Sequence, residues 1–94
     1  MDSVRVLVID DEFGIREGCR RALAPHGFEV EAAENGPAGL RRLREAAFEV
    51  VLLDAMMPGM SGLEVLQQLR RLDSELICIL ITGYATVELA VQAV

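Results

Sequence analysis

The sequence has 94 residues, 52% of them hydrophobic and 26% charged, with a net charge of −6, which excludes an intrinsically disordered chain and leaves room for one small domain with a modest core. The acidic balance disfavours direct nucleic-acid binding, and no apolar run reaches the ~18 residues of a membrane helix. No basic-then-apolar leader opens the chain, so the expectation is a cytoplasmic protein without a membrane partner. All nine basic residues are arginines, and no lysine occurs.

The first element is "VRVLVI" (4–9), an unbroken apolar run that reads as a strand and stops at Asp10, Asp11 and Glu12. Like charges at a strand exit repel, so a positive group is expected beside them. "GIREGCRRALAPHG" (14–27) reads as a helix with Ile15, Cys19, Ala22 and Leu23 on one face, stopped by Pro25 and Gly27. His26 falls in this turn and is expected to be exposed. "FEVEAA" (28–33) alternates and reads as a more exposed strand. "NGPAGLRRLREAAF" (35–48) reads as a helix with Pro37 in its first turn and Leu40, Leu43 and Ala47 as its inner stripe.

"EVVLLD" (49–54) is a third strand, and "AMMPGMSG" (55–62) breaks the chain with Pro58, Gly59 and Gly62. Ser61 and Glu64 have capping-box spacing and launch "GLEVLQQLRRLD" (62–73), with Leu63, Leu66 and Leu69 inward. "ELICILIT" (75–82) is a fourth strand, and "YATVELAVQAV" (84–94) begins a fourth helix. Cys19 and Cys78 lack CxxC spacing, so two buried thiols are expected rather than a disulfide or metal site.

Alternating strands and helices predict an α/β fold with a parallel sheet between helices, its near-continuous apolar strands buried on both faces. Ligands in such sheets sit beyond the carboxyl ends of the strands. Asp10, Asp11, Asp54 and Thr82 all fall at those ends, so three carboxylates and a hydroxyl are expected to converge. A single aspartate after a strand is often only a helix cap; three at the ends of two buried strands ask for more. Oxygen ligands without His or Cys favour a hard ion, Mg2+ above all, over zinc. Asp54 is then a candidate phosphoryl acceptor, Asp10 and Asp11 metal ligands, and Thr82 a donor to a phosphoryl oxygen.

The segments "VLVIDDE", "VVLLDAMMPGMSGLEVL" and "ILITGYAT" resemble the receiver domain of bacterial two-component response regulators, and the likeness runs over the whole chain. The resemblance implies a flavodoxin-like doubly wound sheet of strand order 2-1-3-4, a (βα)4 part of the family's (βα)5 fold. It implies that Asp54 takes phosphate from a sensor histidine kinase. It implies that Asp10 and Asp11 bind Mg2+ together with Asp54 and the backbone carbonyl of Met56, that Thr82 is the switch hydroxyl, and that Pro58 and Gly62 shape the loop. "TGYAT" is similar to receivers of transcriptional regulators. The domain is thus expected to be a phospho-acceptor rather than an enzyme, regulating an output domain missing from this chain.

The match departs from the family where a fifth strand and helix would follow, so the sequence reads as a receiver cut short in its fourth helix. The family's phosphoryl-clamping lysine has no counterpart, and losing one such donor typically costs about 3–4 kcal/mol; slow or negligible phosphorylation is expected. The fourth strand would become a sheet edge, so self-association through it or through helix four is expected. Two alternatives stand beside this reading. One is a catalytically silent association module of the same fold. The other is a Mg2+-dependent phosphotransferase of the haloacid-dehalogenase type, which would need D-x-D where this chain has D-x-E.

Overall fold

The computed structural model describes residues 3–81. The elements are β1 (Arg5–Ile9), α1 (Phe13–Leu23), a 3-10 turn (Ala24–His26), β2 (Glu29–Ala33), α2 (Gly36–Glu45), β3 (Val50–Asp54), α3 (Gly62–Leu72) and β4 (Ile77–Ile81). All strand pairs are parallel, in the order β2-β1-β3-β4. The chain therefore leaves β1 for one side of the sheet and returns past it to β3. The strand order reverses between β1 and β3, which puts the topological switch point, where ligands of such sheets sit, at the carboxyl ends of the two central strands.

Side-chain alternation sorts the sheet into two unequal faces. Leu7, Ile9, Val51 and Leu53 are fully buried and pack with Leu40 of α2 and Val65, Leu66 and Leu69 of α3. Each such side chain contributes roughly 1.5–3 kcal/mol on leaving water, so this face carries most of the stability. The helix starts are set locally. Asn35 caps α2 by accepting from the Ala38 N–H at 2.8 Å, and Ser61 caps α3 by accepting from the Glu64 N–H at 3.3 Å. The reciprocal half of the capping box differs from its usual form, since the Ser61 hydroxyl, not its N–H, donates to the Glu64 carboxylate.

The opposite face is covered less. Val6 and Val8 of β1 are buried, but Ile77 and Ile79 of β4 are 56% and 51% exposed. Burial on both faces thus holds for β1 and not for β4. The cause is the placement of α1, which packs on β1 and β2 while α2 and α3 pack together over the other face. α1 has no fully buried residue. Its expected inward stripe is corrected accordingly: Ile15 and Ala22 are exposed, and Cys19 and Leu23 are half-buried. The two thiols are half-buried rather than buried, and partial burial raises both pKa values.

Other boundaries also moved. The first helix gives way to the 3-10 turn at Ala24, and His26 is exposed there as expected. α2 stops at Glu45, because Ala46 turns to extended backbone after its N–H closes on the Arg42 carbonyl. Ala47 is consequently outside the helix and exposed, and Phe48 enters the core instead, with the Arg5 guanidinium 4.6 Å from its ring centre. On α3, Leu66 and Leu69 face inward as expected, Leu63 is half-buried, and Val65 widens the stripe. The fourth helix of the sequence reading lies outside the described residues.

Candidate functional site

Asp10 and Asp11 follow β1 directly, and Asp54 is the last residue of β3. Because β1 and β3 are neighbours in register, with Ile9 opposite Leu53, their exits share one rim. One carboxylate oxygen from each of Asp10, Asp11 and Asp54 lies within 4.8 Å of the other two. Asp10 is buried, Asp54 half-buried and Asp11 exposed, so the group opens to solvent from one side. Glu12, the third acid of the run, is outside this group; it stands at the N-cap of α1.

Asp10 is held at several points. Its N–H donates to the Ala33 carbonyl at 3.1 Å. Its Oδ1 accepts from the Glu12 N–H at 2.9 Å, and its carbonyl accepts from Arg16 Nη1 at 2.8 Å. Asp54 Oδ1 accepts from the Met56 N–H at 3.0 Å. Burial pushes the Asp54 carboxyl up to about 6, with further upward pressure from Asp10 and Asp11, while the Met56 N–H pulls the other way. Among the described residues, no arginine forms an ion pair with any of the three carboxylates. Their mutual repulsion is offset by no ion pair among the described residues.

The loop after Asp54 is fixed by backbone. The Ala55 N–H donates to the Ile81 carbonyl at 3.1 Å, and the Gly62 N–H donates to the Ala55 carbonyl at 3.2 Å. Gly62 sits so close to this turn that a Cβ there would collide with the Asp54 carbonyl oxygen and lie 2.6 Å from the Ala55 Cα. Gly59 has φ +80°, a conformation in which glycine carries no Cβ penalty. Pro58 is exposed and the Met56 side chain is 66% exposed, whereas Met57 turns into the core. Thr82 lies outside the described residues.

Sequence reasoning missed Arg16. A signal for it existed: a cation in the first turn of a helix opposes the helix dipole, so its presence there asks for a reason. The reason is the bond to the Asp10 carbonyl.

A donor set of carboxylates alone suits a hard, oxygen-seeking cation such as Mg2+. A cation among Asp10, Asp11 and Asp54 would also relieve the repulsion that adds to burial in raising the Asp54 pKa.

Comparison with known proteins gives a consistent answer. A family model described as "Response regulator receiver domain" matches residues 6–94. The regulatory protein AtoC of Escherichia coli is 39% identical over 89 residues, covering 95% of this chain and 19% of that protein. The response regulator MprA of Mycobacterium ulcerans is 40% identical over 81 residues, covering 86% of this chain and 35% of that protein. The chain thus spans about a fifth to a third of the length of these relatives. Among solved structures, a CheY-like receiver domain protein from Methanospirillum hungatei superposes with a TM-score of 0.88 at 32% identity, covering 96% of this chain and 72% of that one. The response regulator TrrA of Thermotoga maritima, in complex with Mg(2+)-BeF, superposes with a TM-score of 0.87 at 38% identity, covering 96% and 80%. With its β2-β1-β3-β4 sheet and its aspartates gathered at one rim, the chain belongs to the response regulator receiver domain family of two-component signalling systems.

Proposed function

We propose that this domain accepts a phosphoryl group on Asp54 from a histidine kinase and passes the change to an output, transcription in the first instance, carried elsewhere. The observation that supports this most is the meeting of the Asp10, Asp11 and Asp54 carboxylates at the rim between β1 and β3. Asp10, Asp11, Asp54 and the Met56 carbonyl would hold Mg2+, which supplies neutralisation of charge on a transferring phosphoryl group. The chain's own residues do the rest. The Met56 N–H holds Asp54 Oδ1, and Oδ2 is assigned as nucleophile. An O–P bond forms at Oδ2 while the N–P bond to the kinase imidazole breaks, and the electron pair leaves with the nitrogen. Thr82 follows Ile81, whose backbone pairs with Asp54, and is assigned the switch hydroxyl. Pro58 and Gly62 shape the loop.

The test is intact mass after incubation with acetyl phosphate and Mg2+. A phosphate increment is expected to build slowly on wild type and to be absent from Asp54→Asn. A measurement independent of rate accompanies it: beryllium fluoride with Mg2+ should raise the melting temperature of wild type and leave Asp54→Asn unmoved. Identical masses and identical melting shifts in the two proteins would overturn the reading.

Self-association through β4 is a second reading, supported by one observation. β4 is the sheet edge among the described residues, and it presents Ile77 and Ile79 largely exposed. The two readings are compatible, because the acid rim lies at the carboxyl ends of the strands and these side chains stand out from a sheet face.

A further inference from the structure

Arg16 is the one arginine among the described residues that bonds to the Asp10 main chain. Its guanidinium donates to the Asp10 carbonyl, not to any carboxylate of the group. That carbonyl belongs to the peptide joining Asp10 to Asp11, the two acids that leave β1 side by side. With the Asp10 N–H on Ala33 and Oδ1 on the Glu12 N–H, the Arg16 bond fixes the last free hydrogen-bonding point of that residue's backbone. Freed of that bond, the Asp10–Asp11 peptide could reorient and change the placement of the Asp11 side chain, which is exposed, relative to Asp54. The guanidinium is itself placed by α1: the Arg16 N–H donates to the Glu12 carbonyl at 3.1 Å, and the guanidinium carbon lies 5.8 Å from the centre of the Phe13 ring.

We infer that Arg16 is a positioning residue for the cation site, holding the Asp10–Asp11 peptide so that both side chains face Asp54. The inference rests on the functional reading above, since it presupposes that the three carboxylates bind Mg2+. Arg16 acts through the carbonyl it bonds and not as a counter-charge. A helix-start cation is unfavourable to the helix itself, so its removal does not forfeit a helix contribution.

The test compares wild type, Arg16→Met and Arg16→Lys. Met keeps an apolar stem over Phe13 and loses the donor; Lys keeps a donor. Two quantities are read: Mg2+ affinity by calorimetry, and the 15N shift of the Asp11 amide without metal. That amide shares its peptide group with the Asp10 carbonyl, so loss of the bond should move it upfield. For Arg16→Met, Mg2+ binding should weaken about tenfold, equivalent to about 1.4 kcal/mol, with the upfield shift present and the remaining amide spectrum folded. Arg16→Lys should recover most of both. If Arg16→Met fails to fold, Arg16→Gln, whose shorter side chain cannot reach the Asp10 carbonyl, carries the test: both weakened Mg2+ binding and the upfield Asp11 shift are expected, and wild-type values of either overturn the inference. Wild-type affinity in Arg16→Met, or a changed affinity with an unmoved Asp11 amide, overturns the inference while leaving the functional reading intact. Absence of Mg2+ binding in wild type overturns both.

Discussion

Gly62 and Asp54 touch through the backbone: the Asp54 carbonyl oxygen occupies the space where a side chain on Gly62 would begin. The start of α3 is thereby pressed against the end of the strand that carries the proposed acceptor. Pro58 and Gly59 give the intervening loop its turn, and Gly62 lets that turn close.

Gly62→Ala tests this contact. In an open helix the change would help by roughly 1 kcal/mol. Here the obstruction is backbone, which cannot rotate aside like a side chain, so overpacking at a cost of roughly 1–3 kcal/mol wins. We expect a lower denaturation midpoint at unchanged m-value, and slower phosphoryl acceptance because Asp54 is displaced. A more stable Gly62→Ala protein would refute the close approach.

The raised Asp54 pKa sets a direction for pH dependence. A carboxyl near 3.8 in the unfolded chain and at about 6 in the folded one binds more protons when folded between those values. Its contribution to stability therefore falls as pH rises from about 4 to about 6 and stays low above. Asp54→Asn removes this fall. We expect the metal-free variant to be more stable than wild type at pH 7, by about 1 kcal/mol once solvent screening is allowed for, and the two to converge near pH 4. Urea titrations across that range check it; a difference independent of pH would refute it.

Metal and proton compete for the same oxygens. Mg2+ affinity of wild type should therefore rise as pH passes upward through about 6, the value at which Asp54 loses its proton. Calorimetry at pH 5 and pH 8 reads this directly, and a flat profile would contradict it.

Ile77 and Ile79 offer a test of the association reading. Replacing each with lysine, Ile77→Lys and Ile79→Lys, places charge on a strand already half in water. Stability should change by less than about 0.5 kcal/mol, as at exposed sites generally. Sedimentation should shift toward monomer. A sedimentation profile identical to wild type would remove β4 from the proposed interface.

Much of this architecture could be read from pattern alone, because the strands β1 and β3 are apolar runs too continuous for anything but a central position. The acids after them followed from the same geometry. Where reading failed, local periodicity met tertiary context. α1 has helical spacing at Ile15, Cys19 and Ala22, yet a stripe is buried only if something lies on it, and α1 covers only the β1–β2 side. Ala47 had the right spacing to be inward, but α2 ended before reaching it. Arg16 was invisible to motif reasoning, since its partner is a main-chain carbonyl that bears no sequence signature. Gly62 was recognised as a loop residue, but the reason, an approach of two backbones, is a distance and not a letter.

The incomplete burial of α1 has a dynamic consequence. A helix with no fully buried side chain separates from the sheet at small free-energy cost, so its amides should exchange with deuterium well before those of α3, which holds Val65 and Leu69 at zero exposure. α1 also grows directly out of the turn bearing Asp10 and Asp11. Whatever immobilises that turn tethers the helix, and a divalent ion should slow exchange across α1 while leaving α3 untouched. Occupancy of the rim would then be audible along a whole helix as a loss of local opening.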